Sequence, residues 1–238
     1  MRTILWFLYF ALYLVFVLPR TKRVEAMLKR GEEKKAAPII KSTVQTWASN
    51  LLKAAGVQVT VSGQENLPDV PALFVSNHQG NFDIPILLCK LGPLIPIVAK
   101  IEMQRLPVIR TWMKFFNCLF MDRNDPRQSL QCLNHAQKML EEGQSLIIFP
   151  EGTRSKGEKM GEFKPGALRC ALKSKAPIVP IAIQGSYLAM EKQGFWIHPA
   201  KVHVTILPPI STAELTKEHT KSISEDIHDV IATIVQPE

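Results

Sequence analysis

The sequence predicts an α/β fold, a mixed sheet flanked by helices, with an N-terminal hydrophobic and amphipathic helical segment ahead of it. Two observations carry the α/β assignment. From Val57 onward, short β-rich runs alternate with stretches of helical periodicity. Several of those runs are continuously apolar, as expected of strands covered by helices on both faces. A third observation sets off the start of the chain: Ile4 to Leu18 are fifteen consecutive apolar or aromatic residues. The expected division is residues 1–56 as membrane-anchoring helices and residues 57–238 as one α/β domain.

As a helix the first apolar run is roughly 22 Å long, short of the ~30 Å hydrocarbon core of a bilayer. It has no small-residue cleavage pattern, and Arg20, Lys22 and Arg23 follow it closely, which argues against a signal peptide. Trp6, Tyr9 and Tyr13 suit a membrane interface, where their polar edges reach water. The basic stretch Arg20–Lys35 places that side in the cytoplasm. A second helix shows apolar residues at Ile40, Val44, Trp47 and Leu51, with Pro38 at its start and Gly56 at its end. It fits equally an amphipathic helix packed on the core and one lying on a membrane.

Strands are expected at Val57–Ser62, Ala72–Ser76, Ile95–Ala99, Cys118–Met121, Ser145–Phe149, Ile178–Ile183 and Lys201–Leu207. Helices are expected at Phe82–Leu91, Pro107–Phe116, Pro126–Glu142, Pro165–Ser174, Thr212–Lys217 and Ser222–Val235. No internal repeat or low-complexity tract interrupts them.

The 238 residues carry 46% hydrophobic and 21% charged side chains, a globular composition, and a net charge of +8 that favours anionic partners. Residues 1–40 hold eight Lys/Arg and three Glu, so most of that excess lies beside the apolar run. Its placement favours an anionic membrane surface over nucleic acid. Cys89, Cys118, Cys132 and Cys170 form no C-x-x-C pair and no metal-ligand spacing with the His residues, so no metal is expected.

Two strand ends carry chemistry. Ser76-Asn77-His78-Gln79-Gly80-Asn81-Phe82-Asp83 closes one strand and opens a helix, bringing a His and an Asp around one turn. Ligands collect at the carboxyl ends of strands in open α/β sheets, and a carboxylate on one imidazole nitrogen leaves the other to accept a proton. Taken alone, the short pattern reads as Asp83 capping the helix and His78 as a turn residue. The second strand end is Phe149-Pro150-Glu151-Gly152-Thr153-Arg154-Ser155. Gly152 permits close backbone approach and Arg154 suits a phosphate, although a surface Glu–Arg pair would give the same pattern. Lys100 and Met121-Asp122-Arg123 also follow apolar strands, where each charge alone reads as solvated.

Together these residues resemble the glycerolipid acyltransferase family, typified by 1-acyl-sn-glycerol-3-phosphate acyltransferase, over roughly residues 70–185. Asn77-His78-x4-Asp83 matches the first family block, Lys100 through Met121-Asp122-Arg123 the second, and Phe149 to Ser155 the third. Ile178-Val179-Pro180-Ile181-Ala182 matches the fourth, preceded by Phe163-Lys164-Pro165-Gly166-Ala167. The second block lacks the glycine that the family places near Arg110.

The resemblance implies an O-acyltransferase that moves a fatty acyl group from an acyl-CoA or acyl-carrier-protein thioester to the sn-2 hydroxyl of lysophosphatidic acid. It implies His78 and Asp83 as the catalytic pair, and Asn77, Lys100, Arg123, Glu151, Gly152, Thr153 and Arg154 around the substrate. No cofactor is needed beyond the thioester co-substrate. The expected location is the cytoplasmic membrane, with the catalytic domain on its cytoplasmic side. Acylation of glycerol 3-phosphate or another lysophospholipid is the near alternative. A non-catalytic protein of anionic membrane surfaces is the distant one, and it leaves the His-Asp pair unexplained. A lipid hydrolase would need a Ser nucleophile, and no G-x-S-x-G elbow is present.

Overall fold

The computed structural model describes all residues except Thr216, Pro237 and Glu238; the side chains of Pro165, Lys217, Glu218, Thr220 and Lys221 are also outside the description. Three helices lead: α1 (Arg2–Phe16), α2 (Leu18–Lys29) and α3 (Glu33–Ala55). The sheet follows, with β1 (Val57–Ser62), β2 (Leu73–Ser76), β3 (Val98–Lys100), β4 (Leu119–Met121), β5 (Leu146–Ile148), β6 (Ile178–Gln184) and β7 (Ala200–Ile206). Between and after the strands lie α4 (Asp83–Lys90), α5 (Pro107–Phe115), α6 (Pro126–Glu141), α7 (Arg169–Ser174) and α8 (Lys217–Val235).

Five strands pair in the order β1-β7-β6-β2-β5. All pairs are parallel except β6 with β7, so the sheet is mixed. The parallel pair β3-β4 continues it through a bridge between Ile97 and Ile147. Pro180 lies inside β6, where a missing N–H would break a ladder. Its carbonyl accepts from Leu207 N–H on the β7 side, and the β7 ladder begins only at the next residue, Ile181 opposite Ile206. The absent donor therefore falls at the end of that ladder.

β2, β5 and nearly all of β6 are buried, and their side chains alternate between two apolar clusters. Phe74, Ile147, Val179 and Ile181 join the cluster that includes the buried side chains of α1 to α4. Leu73, Val75, Leu146, Ile148 and Ile178 join the one under α6, α7 and α8. Burial on both faces is why these strands read as unbroken apolar runs. β7 instead alternates, with Val202, Val204 and Ile206 inward and Lys201 and His203 exposed.

Three sequence expectations are corrected. The helix expected from Pro38 begins at Glu33, and Pro38 lies inside it. Gly56 does end it, in the left-handed conformation at φ 77°. The aromatic tips of α1 turn inward rather than to water: Trp6 Nε1 donates to Leu51 O at 3.0 Å, and Tyr13 Oη to Thr43 O at 3.4 Å. Backbone carbonyls of α3 supply the partners that an interface would otherwise provide. Over Thr212–Lys217, residues 212–215 make a turn, Thr216 lies outside the described residues, and the helix starts at Lys217. Thr212 Oγ1 is drawn to Ala176 O at 3.0 Å, which anchors that turn beyond α7. The missing glycine near Arg110 leaves α5 intact as a helix.

The opposite side of α1 carries exposed Ile4, Leu5, Leu8, Leu12, Val15 and Phe16. Among the described residues no single helix is long and apolar enough to cross a membrane; α1 and α2 pass together but are bent by 41°.

Candidate active site

Parallel pairing brings the carboxyl ends of β2, β5 and β6 side by side. β2 ends into residues 76–83, β5 into residues 149–155, and β6 into Gln184-Gly185. Register carries Lys100 to the same edge: Ile97 stands beside Ile147, so Lys100 is level with Pro150, and Arg123 follows Met121, the partner of Lys100.

The His78 turn is gripped from several directions. Asp83 opens α4 and is fully buried; its Oδ2 lies 2.7 Å from His78 Nδ1 and accepts the Gly80 N–H at 2.9 Å. The imidazole, 14% exposed, stacks on Phe149 with ring centroids 4.2 Å apart and planes at 24°. His78 N–H donates to Glu151 Oε1 at 2.6 Å, while His78 O accepts from Ser155 N–H at 2.8 Å and Gln79 O from Lys156 N–H at 3.1 Å. With Nδ1 on a carboxylate and the ring plane fixed, Nε2 is the nitrogen left to face a substrate.

Two residues expected around the substrate also tie this scaffold together. Asn77 is fully buried and uses both ends of its amide on Ile183, donating to its carbonyl at 2.8 Å and accepting its N–H at 2.7 Å. Glu151, also buried, accepts the N–H groups of His78 and Gly161 (2.8 Å), so both oxygens serve the backbone. Burial raises its carboxyl above the ordinary value, and those two N–H groups oppose the rise. Gly152 has φ 72°, a conformation that favours glycine, and a Cβ there would meet Lys164 Nζ at 3.2 Å. Thr153 is exposed.

The cations are held less tightly. Arg154 does not pair with the neighbouring Glu151; its Nη1 lies 3.1 Å from Oε1 of Glu191. Lys100 is exposed and 3.7 Å from Glu102. Arg123 is half-buried; burial lowers its pKa and Glu102 opposes that. The loop that carries Arg123 is pinned by α6: Gln128 bonds both Asp122 N–H (2.7 Å) and Phe120 O (2.8 Å), and Asp125 caps the helix.

Sequence reasoning missed Glu191 and did not assign Lys164 a place at the site. Lys164 falls in a quoted motif, but nothing local says that its chain returns to Pro150, whose carbonyl accepts the Lys164 N–H at 3.1 Å. Glu191 starts a short 3-10 turn, Glu191–Gln193, and in sequence looks like any surface acid. Among the described residues no cluster of three or more His, Cys, Asp or Glu is placed to hold a metal. Burial pushes the thiols of Cys118 and Cys170 up to about 12 and Cys132 up to about 11, which leaves them poor nucleophiles.

The family model described as Acyltransferase matches residues 58–184. The chain is 39% identical over 154 residues to a probable 1-acyl-sn-glycerol-3-phosphate acyltransferase of Mycoplasma pneumoniae, covering 61% of this chain and 56% of that protein. It is 36% identical over 177 residues to a chloroplastic 1-acyl-sn-glycerol-3-phosphate acyltransferase of Arabidopsis thaliana, covering 71% and 49%. The chain thus spans about half the length of the curated relatives it matches. Its fold is similar to the crystal structure of the 1-acyl-sn-glycerophosphate acyltransferase PlsC from Thermotoga maritima, with a TM-score of 0.79 and 26% identity, covering 99% of this chain and 97% of that one.

Proposed function

Because the chain belongs to the acyltransferase family, we propose that it transfers a fatty acyl group from a thioester to the sn-2 hydroxyl of 1-acyl-sn-glycerol 3-phosphate, giving phosphatidic acid. The observation that carries the reading is the His78–Asp83 pair, at 2.7 Å, set where three strand ends converge beside cationic side chains. The names of the relatives supply the acceptor: they are 1-acyl-sn-glycerol-3-phosphate acyltransferases.

In this reading Asp83 keeps a proton on His78 Nδ1 and Nε2 takes the proton of the acceptor hydroxyl. The oxygen attacks the thioester carbonyl, the C–S bond breaks, and the departing sulfur receives the proton from Nε2. The acyl group passes directly to the acceptor. Burial pushes all four cysteine thiols above their ordinary value, and Ser76 is buried with its hydroxyl on Asn77 O, so none of these is set up as a nucleophile. Arg154 and Arg123 attract the acceptor phosphate, and Lys100 adds charge at the rim. The donor is acyl-CoA or acyl carrier protein, with no further cofactor. Residues 57–238 form the catalytic domain, and residues 1–56 hold it on the cytoplasmic face of a membrane rich in anionic lipid. The exposed apolar row of α1 and the basic residues after it support that placement.

The test is acyl transfer by the purified, detergent-solubilised chain, with both thioester donors and a panel of lysophosphatidic acid, glycerol 3-phosphate and other lysolipids. Phosphatidic acid should form from lysophosphatidic acid and should not form with His78→Ala. Lipid binding without product from any acceptor would replace this reading with a non-catalytic one.

A further inference from the structure

We propose that Glu191 is the positioning residue for Arg154, presenting its guanidinium at the lip of the His78 turn so that the unused N–H edge meets the acceptor phosphate. The inference rests on the reading that Arg154 takes that phosphate. Glu191 lies beyond the segment matched to the family and outside every motif visible in the sequence.

The Glu191 side chain is 4% exposed, whereas Arg154 is 35% exposed, so the carboxylate lies beneath and the guanidinium reaches out. Oε1 of Glu191 accepts twice, from Asn81 N–H at 2.8 Å and from Arg154 Nη1 at 3.1 Å. Oε2 is buried with no hydrogen-bond partner among the described residues. A Cβ at Gly80 would run into Oε2, so the His78 turn is shaped around this carboxylate. One acid therefore touches the turn bearing the base and the arginine bearing the positive charge.

Two arrangements are conceivable for such a pair, and burial decides between them. Were Glu191 a latch that the phosphate displaces, binding would strand a buried carboxylate that already has one orphaned oxygen. Losing its cation is the costliest change for a buried ion pair. Arg154 instead has five N–H donors and spends one of them on Glu191, which leaves Nε and Nη2 for a bidentate contact with phosphate. The carboxylate stays paired and the fork is aimed before the substrate arrives.

The experiment compares Glu191→Gln with the unaltered chain. The amide keeps an oxygen for Asn81 N–H and removes only the charge that aims Arg154. KM for lysophosphatidic acid should rise about tenfold with kcat within about threefold. Affinity for 1-acylglycerol, the same acceptor without phosphate, should stay unchanged in a tryptophan-fluorescence titration. In an Arg154→Ala background the Glu191→Gln change should add nothing. Equal losses for both lipids, effects that add to those of Arg154→Ala, or a lowered KM would each overturn the proposal. Should Glu191→Gln fail to fold, Arg154→Lys serves instead: it keeps the charge without the fork and should raise the same KM, and an unchanged KM would overturn the proposal. The lipid titration also separates the two readings. If the unaltered chain gives no product, the functional reading fails. Loss of phosphate-selective binding in Glu191→Gln would still uphold the positioning role, and retention of that selectivity would end it.

Discussion

Around His78, the backbone and the ring are both held: Glu151 takes the His78 N–H, Ser155 its carbonyl, Asp83 the Nδ1 and Phe149 the ring face. Along the rim, Lys100 lies 3.7 Å from Glu102 with both side chains about half exposed, and Arg154 is anchored by one nitrogen. Under the proposed function, the two regions divide the demands of acyl transfer. Proton removal depends on angle and distance and tolerates no drift, so its group is immobilised by partners buried in the sheet edge. Attraction of a phosphate works over a longer range and survives motion, so its groups are left partly solvated.

Substitutions at the turn should accordingly dwarf those at the rim. His78→Ala should lower kcat by about 10³-fold with the fold retained, since general bases are worth about 10²–10⁴; steady-state turnover checks the first half and circular dichroism the second. Asp83→Asn should cost about 10²-fold or more in kcat, because an amide no longer fixes the proton on Nδ1. Glu151→Ala would strip the acceptor from two part-buried N–H groups and should lower unfolding free energy by about 1–3 kcal/mol in a urea titration. Arg154→Ala should act mainly on KM for the phosphate-bearing acceptor, by about tenfold, with kcat close to the original. Lys100→Ala should change kcat/KM by less than about threefold, as fits an exposed charge in a weak pair. A large effect at Lys100, or a small one at Asp83, would break the division between turn and rim.

Strand positions were legible because β2, β5 and β6 are short apolar runs bounded by Pro, Gly or Asn, and each observed strand lies within a few residues of its expected place. Helix starts were harder: Pro38 reads locally as a first-turn residue, yet packing of Ala36 and Ile40 against the core extends α3 ahead of it. The His78–Asp83 pair was legible because five residues around one turn keep both in one neighbourhood. For Asn77 and Glu151 the residue type suggested contact with substrate, but a polar group beside a sheet edge is as useful for tying loops. Nothing local distinguishes the two uses. Glu191 was invisible for a plainer reason, since 110 residues separate it from Asn81, whose N–H it accepts.

The ties that brace His78 span long stretches of chain: 73 residues from His78 to Glu151, and 106 from Asn77 to Ile183. Contacts of such separation form late, after the entropy of closing large loops has been overcome. A nascent chain that has emerged only through β5 carries the whole His-x4-Asp motif but lacks β6 to hold Asn77. The geometry of the His78 turn is thus a property of the finished sheet. During refolding, orientation of the His78 ring should appear with the docking of β6 against β2, well after the helices have formed.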